Sequence, residues 1–364
     1  MANVINCKSL GEFNLIKHLT ELQKLSLPNG IPNGVMGPGD DCAIMPLAFF
    51  GADSSKGFLL LSTDSMIEEK HFSFNYSSPY DVGKKLVACN LSDIAAMAGT
   101  PKAMLINLQL NDSTTVDLAH EIYKGIYDSC ADYGAYVIGG NTTIGKDLAL
   151  TATIVGFSLL NPILRSTAKA GEDLWVSNTL GRAFLGLHLL KNKINSKDLA
   201  WAEETILAHK QPQPQLSLGQ TLGSQNLASA MIDISDGLLQ DASHIAESSS
   251  VEVEIFIDKV PVHPGYAKLL LNKMYAMTHG DDYELLFTSS QTNRNKLEFP
   301  QNNLSASENR YNLTRIGTIK ETLKDQDLHT KGFVSIISAD GSKRSLNEFL
   351  ELNKWNHGAG YAHF

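Results

Sequence analysis

The sequence predicts two α/β domains in tandem. Three observations carry that reading. The chain has 364 residues, 43% hydrophobic and 19% charged, enough for two medium-sized cores. Strand-like and helix-like stretches alternate in both halves. The pattern resets between 157 and 172, where Asn161-Pro162 breaks the chain and Ala170-Gly-Glu-Asp173 makes a turn. The expected division is 1–160 and 161–364.

In order, residues 11–25 read as a helix and Phe58–Ser62 as an apolar strand that runs into Thr63-Asp64. A long helix over 80–98 is closed by Gly99-Thr-Pro101. Strand Ala103–Leu110, an amphipathic helix over 115–132, and strands Ala135–Ile138 and Leu148–Gly156 complete the first half. The second half begins with strand Leu174–Ser177. Helices follow near 181–192, 200–209 and 216–228, then strand Ala230–Ile234 and helix Gly237–Glu247. Val251–Ile257 and Tyr283–Thr288 are further strands, and the polar, Asn-rich 289–312 reads as a surface insertion.

Composition excludes several classes. No apolar run is long enough to span a membrane, and the N-terminus lacks the pattern of a secretion signal. The four cysteines lie far apart with no C-x-x-C pair, so thiols kept reduced in a cytoplasmic setting are expected. The net charge of −9 argues against nucleic acid, but allows a phosphorylated small molecule if a cation mediates the contact.

Val137-Ile-Gly-Gly-Asn-Thr-Thr-Ile-Gly-Lys-Asp147 nearly spells a phosphate-binding P-loop. Asp147 stands where Ser or Thr is needed, and Leu148–Val155 is strand-like. A P-loop works because a helix N-terminus follows it, so this stretch reads instead as a glycine hairpin between two strands.

The stronger signal is a set of acids in apolar surroundings. Asp40 and Asp41 precede Cys42-Ala-Ile44, Asp64 ends a strand, and Asp233, Ser235 and Asp236 lie at a strand-to-helix passage. Asp93 sits on a helix that is small and apolar nearly all round, sharing a face with Asn90 and Met97. A carboxylate there is costly unless paired or metal-bound. Taken singly, each acid also fits a turn or an N-cap. Together, with few Lys or His nearby in sequence, they suit Mg²⁺, and Mg²⁺ brings nucleotide phosphates to an acidic protein.

An ordered set of motifs sharpens this. It comprises Gly11-Glu-Phe13, Gly39-Asp-Asp-Cys-Ala43, Ser62-Thr-Asp-Ser65 with His71-Phe72, Asn90-Leu-Ser-Asp-Ile-Ala-Ala-Met97 and Gly139-Gly-Asn-Thr-Thr143. Asp233-Ile-Ser-Asp-Gly237, Asp281-Asp-Tyr-Glu-Leu285 and Gly360-Tyr-Ala-His-Phe364 complete it. The set resembles the thiamine-monophosphate kinase family of the aminoimidazole-ribonucleotide synthetase-like superfamily, over nearly the whole chain.

That resemblance implies the two-domain α/β (α+β) architecture of the superfamily and a homodimer paired through N-terminal domains. It also implies ATP-dependent conversion of thiamine monophosphate to thiamine diphosphate with several Mg²⁺. By family motif, Asp41, Ser62, Thr63, Asp64, Asp93, Asn141, Asp233 and Asp236 are expected metal positions. Gly140, Asn141, Arg165 and Ser235 are expected to contact ATP, and Asp93 and Arg165 to serve catalysis. His71 and Asp281 are expected at thiamine monophosphate, with Trp355 or Tyr361 as its aromatic cover. Tyr133 fits either adenine stacking or a core position.

Two positions depart from the family pattern. Asn141 replaces an Asp, and Ile144 stands where an Arg is usual. Three functions therefore stay open on sequence: an active thiamine-monophosphate kinase, another ATP-using enzyme of the superfamily, or a non-catalytic nucleotide-binding homologue.

Overall fold

The computed structural model describes residues 35–36, 40–47, 57–195, 199–298, 311–322, 333–355 and 358–360. The expected helix over 11–25, Tyr361 and the final motif residues lie outside them.

Two sheets form the frame. The first has order β1-β2-β5-β3-β4, from β1 Ala43–Pro46, β2 Phe58–Ile67, β3 Thr100–Leu110, β4 Tyr136–Ile144 and β5 Ala149–Ser158. The second has order β12-β11-β8-β10-β6-β9-β7. Its strands are β6 Asp173–Ser177, β7 Ala230–Asp233, β8 Val251–Phe256, β9 Leu285–Ser289, β10 Leu313–Glu321, β11 Phe333–Ile337 and β12 Lys343–Ser345. No strand is shared between the sheets.

Helix α1, Pro79–Ala96, links them. Ser78 caps it: its side chain accepts from the Asp81 backbone N–H, Asp81 returns a bond to the Ser78 N–H, and Pro79 takes the first turn. Its apolar residues fall on every side, so it is buried all round. It packs on β2, β5 and β7, on α2 (Val116–Asp132), and on the later helices α4 (Ala202–Lys210) and α5 (Leu216–Ser224). Leu218 and Leu222 of α5 join the core of the first sheet, together with Trp175, Met231 and Phe287 of the second. Helix α3 (Arg182–Lys191) packs on α4, and α6 (Leu238–Ser249) covers β7 and β8.

Two expectations are corrected. The glycine stretch is no hairpin. Strand β4 runs straight through Gly139–Thr143 and pairs parallel with β3, while β5 lies between β2 and β3. Helix α2 supplies the crossover that parallel strands require. Gly140 is demanded by β3: it sits at φ +154°, and any Cβ there would collide with the Ile106 carbonyl. The supposed insertion also begins inside the fold. Leu297 is fully buried and Arg294 pairs with Asp173 at 2.5 and 2.7 Å, because the polar letters around them hide two anchor residues. Among the described residues no helix is long and apolar enough to cross a membrane.

Candidate active site

The acids converge where the two sheets meet α1. Strand β2 has a two-residue period, so Ser62 and Asp64 point to the same side as buried Leu60 and Met66, towards α1. There the Ser62 hydroxyl donates to Asp93 Oδ2 at 2.5 Å. Ser92, one position earlier on α1, donates to Asp233 Oδ2 at 2.6 Å, at the end of β7. Asp41 enters from the segment before β1. Carboxylate oxygens of Asp41, Asp93 and Asp233 all lie within 4.8 Å of one another.

Electrostatics sets the character of this cluster. Burial, then the charges of Asp64, Asp233 and Asp41, push the Asp93 carboxyl well above its ordinary value. Asp233 is raised by burial and by Asp41. Asp41 is raised by burial, against the pull of Arg165, whose Nη2 donates to Asp41 Oδ1 at 2.7 Å. Asp40, behind it, is pushed up to about 7 by burial and by the charge of Asp41. Three carboxylates this close resist full ionisation on their own. Asp41 Oδ2 is buried with no hydrogen-bond partner. An orphaned hard oxygen in a cluster of hard oxygens fits a divalent cation such as Mg²⁺.

From this cluster a cavity of about 440 Å³ opens, lined in part by Asp64, Asp93, Asp233 and Asp236. Its lining also includes Tyr76, Lys85, Phe184, His209, His279 and Asp281. His71 is on the wall, its Nδ1 accepting from the Ile67 N–H at 2.9 Å. Asp281 accepts from Lys85 Nζ at 2.6 Å and from the Tyr283 hydroxyl at 3.0 Å. Burial and the neighbouring charge of Lys85 hold His209 neutral, its pKa pulled down to about 3. Phe184 stacks on Tyr275 with centroids 4.7 Å apart and planes 6° apart.

Of the residues expected from sequence, the cavity gathers Asp64, His71, Asp93, Asp233, Ser235, Asp236 and Asp281, with Asp41 and Ser62 against them. Others stand elsewhere. Thr63 points to the opposite face of β2, where its hydroxyl donates to the Ala152 carbonyl. Gly140 and Asn141 lie on the exposed β4, away from the cavity lining. Arg165 is bound to Asp40 and Asp41 rather than facing the cavity. Trp355 is buried behind Tyr275, with centroids 4.7 Å apart, and its Nε1 donates to the Gly358 carbonyl. Tyr133 packs on the first core and donates to Gln213 Oε1.

Sequence reasoning missed Lys85, Ser92, Phe184, His209 and Tyr283. Lys85 was findable: on α1 it lies eight residues before Asp93, within about 80° of the same face. Phe184 and His209 belong to helices of the second half, and no local pattern ties them to Asp93. The shortage of partners inferred from sequence is also corrected, because Arg165 and Lys85 reach their acids from 124 and 196 residues away.

Comparison with known proteins decides the family. The chain is 32% identical to the thiamine-monophosphate kinase of Bacillus subtilis (strain 168) over 346 residues, 93% of this chain and 100% of that protein. The chain belongs to the thiamine-monophosphate kinase family. Residues 39–158 also match the family model for the N-terminal domain of AIR synthase related proteins. A solved thiamine-monophosphate kinase structure, AaThiL complexed with AMPPCP and TMP, superposes with a TM-score of 0.78 at 28% identity, covering all of both chains. The hydrogenase maturation protein HypE of E. coli shares the fold alone, with a TM-score of 0.61 at 18% identity over 92% of this chain and 96% of that one.

Proposed function

We propose that this chain transfers the γ-phosphate of ATP directly to thiamine monophosphate, giving ADP and thiamine diphosphate. The observation that carries this is the single cavity joining a buried carboxylate cluster to an aromatic pocket, in a chain aligned along its length with such kinases. AaThiL, which holds AMPPCP and TMP, supports the same pairing of ligands.

The chemistry fits the residues. The nucleophile is a phosphate oxygen, largely ionised near neutral pH because its second pKa is about 6. It needs no general base from the protein. Asp41, Asp64, Asp93, Asp233 and Asp236, with Ser62, would hold Mg²⁺. Mg²⁺ held there would supply charge neutralisation for the phosphates. Thr63, flanked by Ser62 and Asp64 on β2, is proposed to contribute through its backbone, and Asn141 through a second subunit or a bound nucleotide that brings β4 to the cluster.

The protein's own groups do the rest. Arg165 holds Asp41 in place through its Nη2 hydrogen bond and opposes part of the burial that raises the Asp41 carboxyl, and is proposed to lend positive charge to a phosphate held at the cluster. Gly140 and Ser235 are proposed backbone contacts for ATP. His71 and Asp281 are proposed to orient thiamine monophosphate, with Phe184 as the aromatic wall in place of Trp355. The homodimer is proposed on β4, whose edge exposes Tyr136, Ile138 and Ile144 at 70%, 64% and 81%. An apolar edge strand of that kind calls for a partner.

The test is purified protein with ATP, Mg²⁺ and thiamine monophosphate, followed chromatographically for thiamine diphosphate. Mg²⁺-dependent product is expected. No product above background, with ATP still raising the melting temperature, would favour a nucleotide-binding homologue weakened at Asn141.

A further inference from the structure

Lys85 has no role in the reaction as described, yet its position is unusual for a lysine. Its side chain is 6% exposed, inside the interface between α1 and the turn before β9. Its Nζ lies 2.6 Å from Asp281 Oδ2. The other Asp281 oxygen accepts from the Tyr283 hydroxyl at 3.0 Å, which in turn accepts from Cys89 Sγ at 2.9 Å. Both carboxylate oxygens are thus fixed, while the Asp281 side chain stays 36% exposed on the cavity wall.

The turn that carries Asp281 is held against its own preference. Asp281 and Tyr283 have φ of +67° and +50°, in the left-handed region that side chains avoid. Such strain persists where surrounding contacts over-determine it. Here the Asp281 N–H donates to the Ser235 carbonyl and the Tyr283 N–H to the Ile234 carbonyl, both at 2.9 Å. Gly280 lies so close to the Ser235 carbonyl that a Cβ would overlap it. The same two backbone groups belong to the Asp233–Asp236 turn of the metal end.

The polar groups facing Asp281 come from three elements. Lys85 reaches it from α1, neutral His209 from α4 with Nδ1 3.8 Å away, and Tyr283 from its own turn. Burial disfavours the carboxylate, but the Lys85 ammonium and the hydrogen bonds from Lys85 and Tyr283 outweigh it and Asp281 stays below the ordinary range. With an ammonium at 2.6 Å, the carboxylate has little net charge left for attracting a cation. It remains a good hydrogen-bond acceptor.

We infer that Lys85 is a positioning residue for substrate selection: it fixes Asp281 as an acceptor for the N–H edge of an amino-substituted heteroaromatic ring entering the cavity. This rests on thiamine monophosphate as substrate, whose aminopyrimidine presents such an edge. Lys85 and Asp93 then let one helix set both the carboxylate cluster and the Asp281 acceptor in the cavity wall.

The test compares wild type with Lys85→Met, using thiamine monophosphate and its analogue carrying oxygen in place of the exocyclic amine. Wild-type turnover of thiamine monophosphate is the control; its absence would count against the proposed reaction rather than against Lys85. With that control in place, Lys85→Met is expected to raise KM for thiamine monophosphate about tenfold or more, as loss of a charge-assisted hydrogen-bond partner does. KM for ATP is expected to stay within about threefold, and discrimination between the two acceptors to collapse to within about threefold. Unchanged discrimination, a fall in KM for thiamine monophosphate, or equal rises in both KM values would overturn the inference. If Lys85→Met does not fold, Tyr283→Phe decides: it removes the second hydrogen bond to Asp281, and discrimination equal to wild type refutes the proposal.

Discussion

Replacing Asp93 by Asn separates a metal-binding carboxylate from a structural one, because the two roles predict opposite changes in stability. Asp93 shares a 4.8 Å cluster with Asp41 and Asp233. Two full charges at that distance repel by about 3–4 kcal/mol at an effective dielectric of 20. Protons taken up by the cluster relieve part of this, so the realised strain is about 1–3 kcal/mol.

The sign follows from linkage. Asp93 is raised in the folded state, so its contribution is fully present below the unfolded carboxylate range and is lost as pH rises through the folded value. Asn cannot ionise, so in the absence of divalent metal Asp93→Asn should be more stable than wild type, increasingly so as pH rises above the ordinary carboxylate range. For a chain of this length, about 1–3 kcal/mol corresponds to about 1–4 °C in melting temperature. With Mg²⁺ and ATP the order should reverse: the wild-type melting temperature rises, the variant's does not, and its turnover falls by about 100-fold or more. The assay is thermal melting in EDTA and in Mg²⁺-ATP at pH values above that range, with turnover on the same samples. A variant that melts lower in EDTA and keeps its Mg²⁺-ATP response would leave Asp93 as a structural residue rather than a metal ligand.

Three further outcomes are expected. Asn141→Asp should lower the Mg²⁺ concentration needed for half-maximal activity, since a carboxylate binds Mg²⁺ more tightly than an amide; a clear loss of activity would show Asn to be the fitted residue. Arg165→Met strands Asp40 and Asp41 and should cost about 3–5 kcal/mol in denaturant unfolding, as broken buried pairs do, with part of the loss recovered in Mg²⁺. Neutral His209 has a folded pKa depressed to about 3, so its stabilising share is present above the unfolded value and lost as pH falls below it. Between pH 6.5 and 5, His209→Gln should therefore lose about 2 kcal/mol less unfolding free energy than wild type, measured by urea titration at each pH.

Local chemistry made much of the fold readable. The helix expected over 80–98 became α1, whose nearly all-round apolar pattern marked it as buried, though its Ser78 capping box was seen only in the structure. The acids on β2, α1 and β7 were also legible, because carboxylates in apolar strands and helices stand out. What failed was pairing. The order of β4 and β5 depends on which strand lies beside β3, and a short glycine-rich link between two strands looks like a hairpin whether or not they touch. The partners of the acids failed for the same reason, since Lys85–Asp281 and Arg165–Asp41 are long-range contacts without a local signature. Trp355 was chosen for its ring and its place near the C-terminus. Trp355 is not among the residues lining the cavity, whereas Phe184 on α3 is brought to its wall by packing against Tyr275, a contact with no local signature.

The proposed reaction is direct transfer of the terminal phosphate of ATP to thiamine monophosphate. ATP labelled at the γ-phosphorus, incubated with Mg²⁺, thiamine monophosphate and the purified protein, tests it in one measurement. The label should appear in the terminal phosphate of thiamine diphosphate, with unlabelled ADP formed in equal amount. Label found only in inorganic phosphate, or thiamine diphosphate formed together with AMP, would contradict the claim.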